Sequence, residues 1–524
     1  MRFPVRWLGI FGAAVGSVWA ADGSAALERL GDLGLIPSQI VGLRPWSAAE
    51  RRRQLEEARA RLWDDDEAAA LVRVADEALG SEASGGRFQI SSVYLRMAGI
   101  AGEPLADGWH LGQTWSGDYG RPYGEGMNAI GGLTAEAQWK RVFGALRAEE
   151  QHAEAPPLYS APVRALMAKM DGVPEISGGV RQACNRVRIL EGYAGVRLGN
   201  VALSVGKQAL WWGPTYDTPL SFSSNAEPTM NFKVSGFHPF HLPAMFRRLG
   251  WVQMECVLGR LSGHSYTWRP WFNAQKVAMK LTPNLEVGFT RWSIFWGVGH
   301  PITLRSFFRN FASLTSPPAK GFWDPKDPGD RKGGFDFRYR LPVWSRQVIL
   351  YADSYSEDDP SPLAAPRRAA ISPGIHLVRL PALRKLDFRA EAASTEPLGS
   401  SWNLNYYNNQ YRSGNTNQGQ LLGSWVGRAG RAIQGWVTYR RHPDSGVELG
   451  FRQQKVDAGF LPGGATNSRA SLQMWFPLNS RVAAVVFLQA QRYWIPAVGG
   501  PRRTFSGRLE LHWKPKLCWA AGRK

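Results

Sequence analysis

From about Gly85 to Trp513 the chain alternates apolar and polar residues with a period of two, the spacing that predicts β-strands with unlike faces. The clearest case is a hairpin. A two-residue Gly199-Asn200 turn pairs Leu198 with Val201, Val196 with Leu203 and Ala194 with Val205 on one face, while the other collects Tyr193, Arg197, Ala202, Ser204 and Gly206. Val447, Leu449 and Phe451 oppose Glu448 and Gly450 in the same way, and Leu509, Leu511 and Trp513 oppose Arg508, Glu510 and His512. One face suits lipid and the other a polar lumen. A soluble β-sandwich would also alternate. The repeated placement of Arg, Glu and Gln opposite apolar rows, with aromatics near strand ends, favours an all-β transmembrane barrel. At about 24 residues per strand plus connection, with roughly 9 to 11 crossing the membrane, residues 85–513 supply on the order of 16 to 18 antiparallel strands.

Upstream the pattern is different. Met1 to about Ala20 reads as an export signal, with Arg2 and Arg6, an apolar stretch from Trp7 to Val18 and a Val18-Trp19-Ala20 cleavage site. That stretch is too short to span a bilayer, so entry into a membrane is expected through strands. Residues 21–84 have helical spacing and predict a small periplasmic helical domain. Ser47-Ala48-Ala49-Glu50 is a capping box, followed by Leu55, Ala58 and Leu62 on one face. Asp64-Asp65-Asp66-Glu67 then opens a helix lined by Leu71, Val74, Ala75 and Ala78 and ended at Gly80. At the far end Ser506–Trp513 reads as the closing strand, with 514–524 as a C-terminal tail. Long connections are expected at Gly117–Gly126, Ala155–Gly179, Thr215–Pro243, Ser316–Gly334, Ser354–Pro373, Asn403–Gln420 and Asp457–Asn467, and loops of that length belong on the extracellular side of a barrel.

Composition sharpens this picture. The chain has 524 residues with 23 Trp, 24 Phe and 15 Tyr. Rings this plentiful in a hydrophilic sequence suit interfacial girdles or a carbohydrate-binding surface. The formal charge of +20 suits acidic polysaccharide, lipopolysaccharide phosphates or nucleic acid, and ranks partners without choosing among them. Cys184, Cys256 and Cys518 lie far apart and form no metal or redox motif, and at most one disulfide is possible among them. His238-Pro239-Phe240-His241 is a poor metal site because Pro239 argues against a helix, and Glu357-Asp358-Asp359 reads as solvated loop acidity. No cofactor or metal is expected, and no catalytic elbow, phosphate loop or dinucleotide fingerprint is found.

The stretch most loaded with chemistry is Gly206-Lys207-Gln208-Ala209-Leu210-Trp211-Trp212-Gly213-Pro214, followed by Ser223-Ser224-Asn225-Ala226-Glu227-Pro228. Adjacent tryptophans beside serine and asparagine could stack on a sugar and hydrogen-bond its hydroxyls, or anchor a membrane edge. This run resembles the signature region of the capsule assembly Wzi family, outer-membrane barrels of Gram-negative cells that hold capsular polysaccharide. Weaker similarity extends through Tyr159-Ser160-Ala161-Pro162, Asp171-Gly172-Val173-Pro174, Leu281–Gly288 and Asp336–Pro342, covering about residues 85 to 513. Thr215 departs from the glycine expected after Trp-Trp-Gly-Pro. The resemblance implies a monomeric, non-catalytic protein that binds capsular or other surface polysaccharide and does not bind nucleic acid. Trp211, Trp212 and Asn225 are the candidate site, with Arg197 and Lys207 for anionic groups. A sugar diffusion channel and a barrel hydrolase or acyltransferase are the alternatives.

Overall fold

The computed structural model describes residues 23–79, 86–175, 182–312, 329–343, 347–357, 369–396, 405–515 and 518–520. The expected export signal, Gly80, Asp358 and Asp359 lie outside them. Among the described residues, 18 antiparallel strands close into a barrel. In chain order they are β1 (Gly86–Ala101), β2 (Gly126–Trp139), β3 (Val142–Ala153), β4 (Cys184–Leu198), β5 (Val201–Gln208) and β6 (Thr229–Gly236). Next come β7 (Trp251–Arg260), β8 (Trp271–Thr282), β9 (Leu285–Phe295), β10 (Asp330–Arg340), β11 (Val348–Glu357) and β12 (Ala370–Leu377). The wall ends with β13 (Leu386–Ser394), β14 (Gly430–His442), β15 (Ser445–Val456), β16 (Ala465–Pro477), β17 (Val482–Ile495) and β18 (Gly499–Trp513). Pairing of Val93 with Trp513 through Ala101 with Phe505 closes the wall, and Cys518–Ala520 extends that seam against Arg87–Gln89.

The Gly199-Asn200 hairpin forms in the expected register, Leu198 opposite Val201 and Ala194 opposite Val205. Val201 and Val205 are exposed outside while Ala202 and Ser204 are buried inside, so one period-two pattern serves two environments. Tight connections such as 140–141, 199–200 and 443–444 share one end of the barrel, here the turn end; the long connections share the other, the loop end.

Three helices precede the wall: α1 (Ser24–Asp32), α2 (Ala48–Ala60) and α3 (Asp66–Leu79). The Ser47 hydroxyl accepts from Glu50 N at 3.1 Å, which caps α2 as its sequence requires. Leu27, Leu30, Leu55, Ala58, Leu71 and Ala75 make a separate apolar core. Leu62, expected on that core face, is exposed because α2 stops at Ala60. The helical unit sits in the mouth at the turn end. Arg29 Nη1 meets Asp387 at 3.0 Å, Arg51 meets Glu136 at 2.8 Å, and Arg338 pairs with Asp32.

Two further expectations are corrected. Thr215–Pro243 is not one loop, because β6 lies inside it; Met230 and Phe232 face outward while Asn231 is buried in the lumen, an alternation masked by the flanking Asn, Pro and Gly. Glu357 is not solvated loop acidity either. It ends β11 and is buried against Lys332 at 3.1 Å. Cys184 and Cys256 are free thiols. No helix among the described residues is long and apolar enough to cross a membrane.

Candidate functional site

The tryptophan motif leaves β5 at the loop end and turns inward. Trp211 and Trp212 form a two-residue strand that pairs with Leu43 and Arg44, which rise into the barrel from the helical unit. Trp212 is fully buried: its indole donates to Glu255 Oε2 on β7 at 3.0 Å and its ring meets Phe222 edge-on, centroids 5.0 Å apart. The Arg44 guanidinium lies 5.0 Å from the Trp211 ring, which is 5% exposed. Neither ring presents a face to solvent. Gly213 follows with φ of 126°, and a Cβ there would come within 2.8 Å of Asp353 Oδ2, so only glycine fits the descent.

Carboxylates on the inner wall then hold the loop by its backbone. Glu391 accepts from Tyr216 N at 2.5 Å and Asp217 N at 3.2 Å, and Asp353 accepts from Leu220 N at 2.7 Å. Arg452 pairs with Asp217 and stacks 3.5 Å from the Trp425 ring centroid. Buried amide groups away from water must find such acceptors, and the polar lumen supplies them.

Asn225 is buried where three loops meet. Its Oδ1 accepts from Gly117 N at 3.2 Å and its Nδ2 donates to Leu421 O at 3.2 Å. Ser223 N donates to Leu422 O at 2.7 Å, and Asn417 Nδ2 to Glu227 O at 2.8 Å. Loops 102–125, 209–228 and 405–429 therefore form one layer across the upper lumen, with Trp212, Leu220, Phe222, Tyr406 and Leu421 in its core.

Of the other two predicted residues, Lys207 touches this layer and Arg197 does not. Lys207, on the outward row of β5, pairs with Glu227 and donates to Ile189 O at 2.7 Å. Arg197 is at the opposite end of the hairpin, 4.3 Å over the Phe237 ring and bonded to Gly199 O at 2.9 Å. Arg197 therefore does not group with the tryptophans: it stands beside the Gly199-Asn200 turn, whereas Trp211 follows the far end of β5.

Sequence reasoning missed a second constellation. Connection 261–270 packs against 405–420 through Gln418 N to Ser262 O at 2.8 Å, Ser262 N to Asn417 Oδ1 at 2.9 Å and Ser413 N to Tyr266 O at 3.2 Å. The seam leaves Tyr266 and Trp268 exposed, Arg269 4.0 Å from the Trp268 ring, and Asn409, Arg412 and Gln418 at the same end. Two rings among Ser265, Arg269 and Pro270 in a turn was a signal available in the sequence.

A lock holds the layer's rim. His110 bridges Asp107 at 2.8 Å and Asp171 at 3.0 Å, the latter closing α4 (Ala161–Asp171), and Arg428 binds Asp171 at 2.6 Å. Burial alone would lower the His110 pKa, but the two carboxylates outweigh it and raise it to about 9. No group of three or more metal-ligating side chains is found among the described residues.

The family model described as "Capsule assembly protein Wzi" matches residues 96–503. Among solved structures, the chain is similar to Wzi of Escherichia coli, an outer membrane protein involved in group 1 capsule assembly and called a carbohydrate-binding β-barrel, at 17% identity and a TM-score of 0.66, covering 92% of this chain and 97% of that one. OpdK of Pseudomonas aeruginosa matches at 10% identity and a TM-score of 0.45 over 84% of this chain and 100% of that one. None of the curated proteins compared matches the sequence. With the family model spanning most of the chain, and the barrel built as its pattern requires, this protein belongs to the capsule assembly protein Wzi family.

Proposed function

We propose that this protein binds surface polysaccharide at the loop end of an outer-membrane barrel and anchors it without catalysis, the helical unit facing the periplasm and the long loops the exterior. One observation carries the reading: the lumen is crossed by a hydrogen-bonded loop layer whose outer seam offers exposed rings, guanidinium groups and amides together. Tyr266 and Trp268 supply stacking faces, Arg412 a cation for acidic sugars, and Asn409 and Gln418 both donors and acceptors. Trp211, Trp212 and Asn225 act at one remove in this reading, because they hold the loops on which that surface is displayed. Lys207 steadies the rim through Glu227.

The test is retention of capsular polymer on immobilised, folded protein. Stacking contributes about 0.5 to 1.5 kcal/mol per ring pair, so Tyr266→Ala with Trp268→Ala is expected to weaken a single site roughly tenfold. Heat-modifiable gel mobility should stay unchanged. Unchanged retention by the double variant would refute the seam as the binding surface.

A further inference from the structure

The outer wall breaks its apolar pattern in one place. On β8 and β9, Lys276 and Trp292 face the lumen, so the adjacent Asn273, Gln275, Arg291, Ser293 and Phe295 face outward by alternation, as does Arg331 opposite Ser293 on β10. Lower on the same strands the outward positions are Val277, Phe289 and Phe335, as a lipid-facing wall requires. The outward Asn273, Ser293, Phe295 and Arg331 are nevertheless buried. Lying across them is α5 (Leu304–Ala312). The Phe311 carbonyl accepts from Gln275 Nε2 at 3.1 Å and Arg291 Nη1 at 2.9 Å, and the Trp296 indole donates to Ser306 Oγ at 2.7 Å. The Phe307 ring lies 6.5 Å from Phe295 and 6.1 Å from Trp296.

This helix is therefore docked outside the barrel, over polar groups that would otherwise face hydrocarbon. Its wall face is Ser306, Phe307 and Asn310, with Phe311 at the edge and stacked on Phe307; the opposite face carries Leu304, 78% exposed, and Phe308, 61% exposed. Arg305 and Arg309, one turn apart, run along one edge of that face and are exposed. Gln275 lies four residues from the loop end of β8, about 13 Å along the strand at 3.3 Å per residue, and the apolar outward row resumes below it at Val277.

We propose that α5 is an interfacial helix, bedding Leu304 and Phe308 among the acyl chains of the outer leaflet and presenting Arg305 and Arg309 to lipid phosphates. An apolar stripe bordered along one edge by cations, on a helix held against a membrane-spanning wall, has the build for that surface. The occupant is a lipid surface and not polymer, so this inference goes beyond polysaccharide binding.

The experiment uses the full chain in lipid nanodiscs with Cys184, Cys256 and Cys518 replaced by Ser and Phe308→Cys carrying an environment-sensitive dye. Lipids bearing a nitroxide near the headgroup are expected to quench the dye about threefold more than aqueous iodide does. Iodide quenching at the level of free dye, without lipid quenching, would overturn the proposal, as would shielding that appears only when two copies share a disc. In unlabelled protein, adding lipid A to phosphatidylcholine discs should raise the thermal midpoint, and Arg305→Gln with Arg309→Gln should lose half or more of that rise. An equal rise in the variant, or the same rise from inorganic phosphate alone, would remove the headgroup assignment. No polymer enters either measurement, so failure here is separable from failure of the carbohydrate reading.

Discussion

Trp212 shows how one residue serves the fold and, through it, the surface. Its ring fills the layer between Phe222 and the wall, and its indole N–H donates to Glu255, so truncation opens a cavity and removes one hydrogen bond from a buried carboxylate that Lys233 meets at 3.6 Å. Trp212→Ala is expected to cost about 3 to 5 kcal/mol, read as a lower heat-modification temperature and faster proteolysis within 209–228. Polymer retention per folded molecule should fall only as the loops loosen. The Trp-Trp-Gly-Pro run was legible as a special place because few contexts need two rings before a glycine. Its burial was not legible, since Arg44 and Glu255 meet it from distant parts of the chain. His110 carries a second prediction. Its pKa is raised to about 9 from 6.5, so its bonds to Asp107 and Asp171 contribute fully below pH 6.5 and are lost as pH rises through about 9. Both carboxylates stay ionised through that window because their own pKa values are lowered. Hydrogen-exchange protection of α4, corrected for intrinsic rates, should drop between pH 8 and 10 and become flat in His110→Gln.

At the scale of elements, strands and helices were read well where one periodicity ran uninterrupted. The 194–205 hairpin needs only alternation and a Gly-Asn turn, and the Ser47 cap only a hydroxyl before a helical face. Strand β6 escaped because its outward Met230 and Phe232 stand between an Asn-Ala-Glu-Pro approach and a Gly-Phe-His-Pro exit, both of which read as loop. Docking of the helical unit was also invisible, since it depends on pairs far apart in sequence. Arg379, just past β12, bonds Asp65 at 2.6 and 2.9 Å and Glu67 at 2.8 Å at the start of α3. Arg379→Ala should weaken that contact by about 1 to 3 kcal/mol, seen as easier proteolysis of 23–79 in otherwise folded protein. Hydrogen bonds from Arg379 hold the Asp65 pKa at about 2, below its ordinary value. The contact is thus complete above about pH 4 and fails as pH falls through 2, so acid should mimic the substitution.

For the whole molecule, the decisive feature is that the lumen is filled from both ends by parts that touch in the middle. From the turn end, Val41 N and Gly42 N donate to Glu286 at 3.0 and 2.7 Å, and Leu43 and Arg44 continue upward to pair with Trp212 and Trp211. From the loop end, the 102–125, 209–228 and 405–429 layer closes over them, bound to the wall through Glu391, Asp353 and Arg452. A diffusion channel needs a continuous polar path, and where the two parts meet the inward Glu286, Asp353 and Glu391 are bound to backbone amides and Arg452 to Asp217. The intact protein in planar bilayers is therefore expected to give no steady, porin-like conductance. Steady large openings would return the balance to the channel reading. Deleting 23–79 is the sharper version, because it removes the lower obstruction and leaves the upper. If the two layers block independently, the truncated barrel stays closed. If the loop layer depends on its pairing with Leu43 and Arg44, the truncation should produce flickering openings together with faster proteolysis within 209–228. Coincidence of those two signals, absent from a variant carrying only Arg379→Ala, would show that the strand pairing inside the barrel couples its two ends.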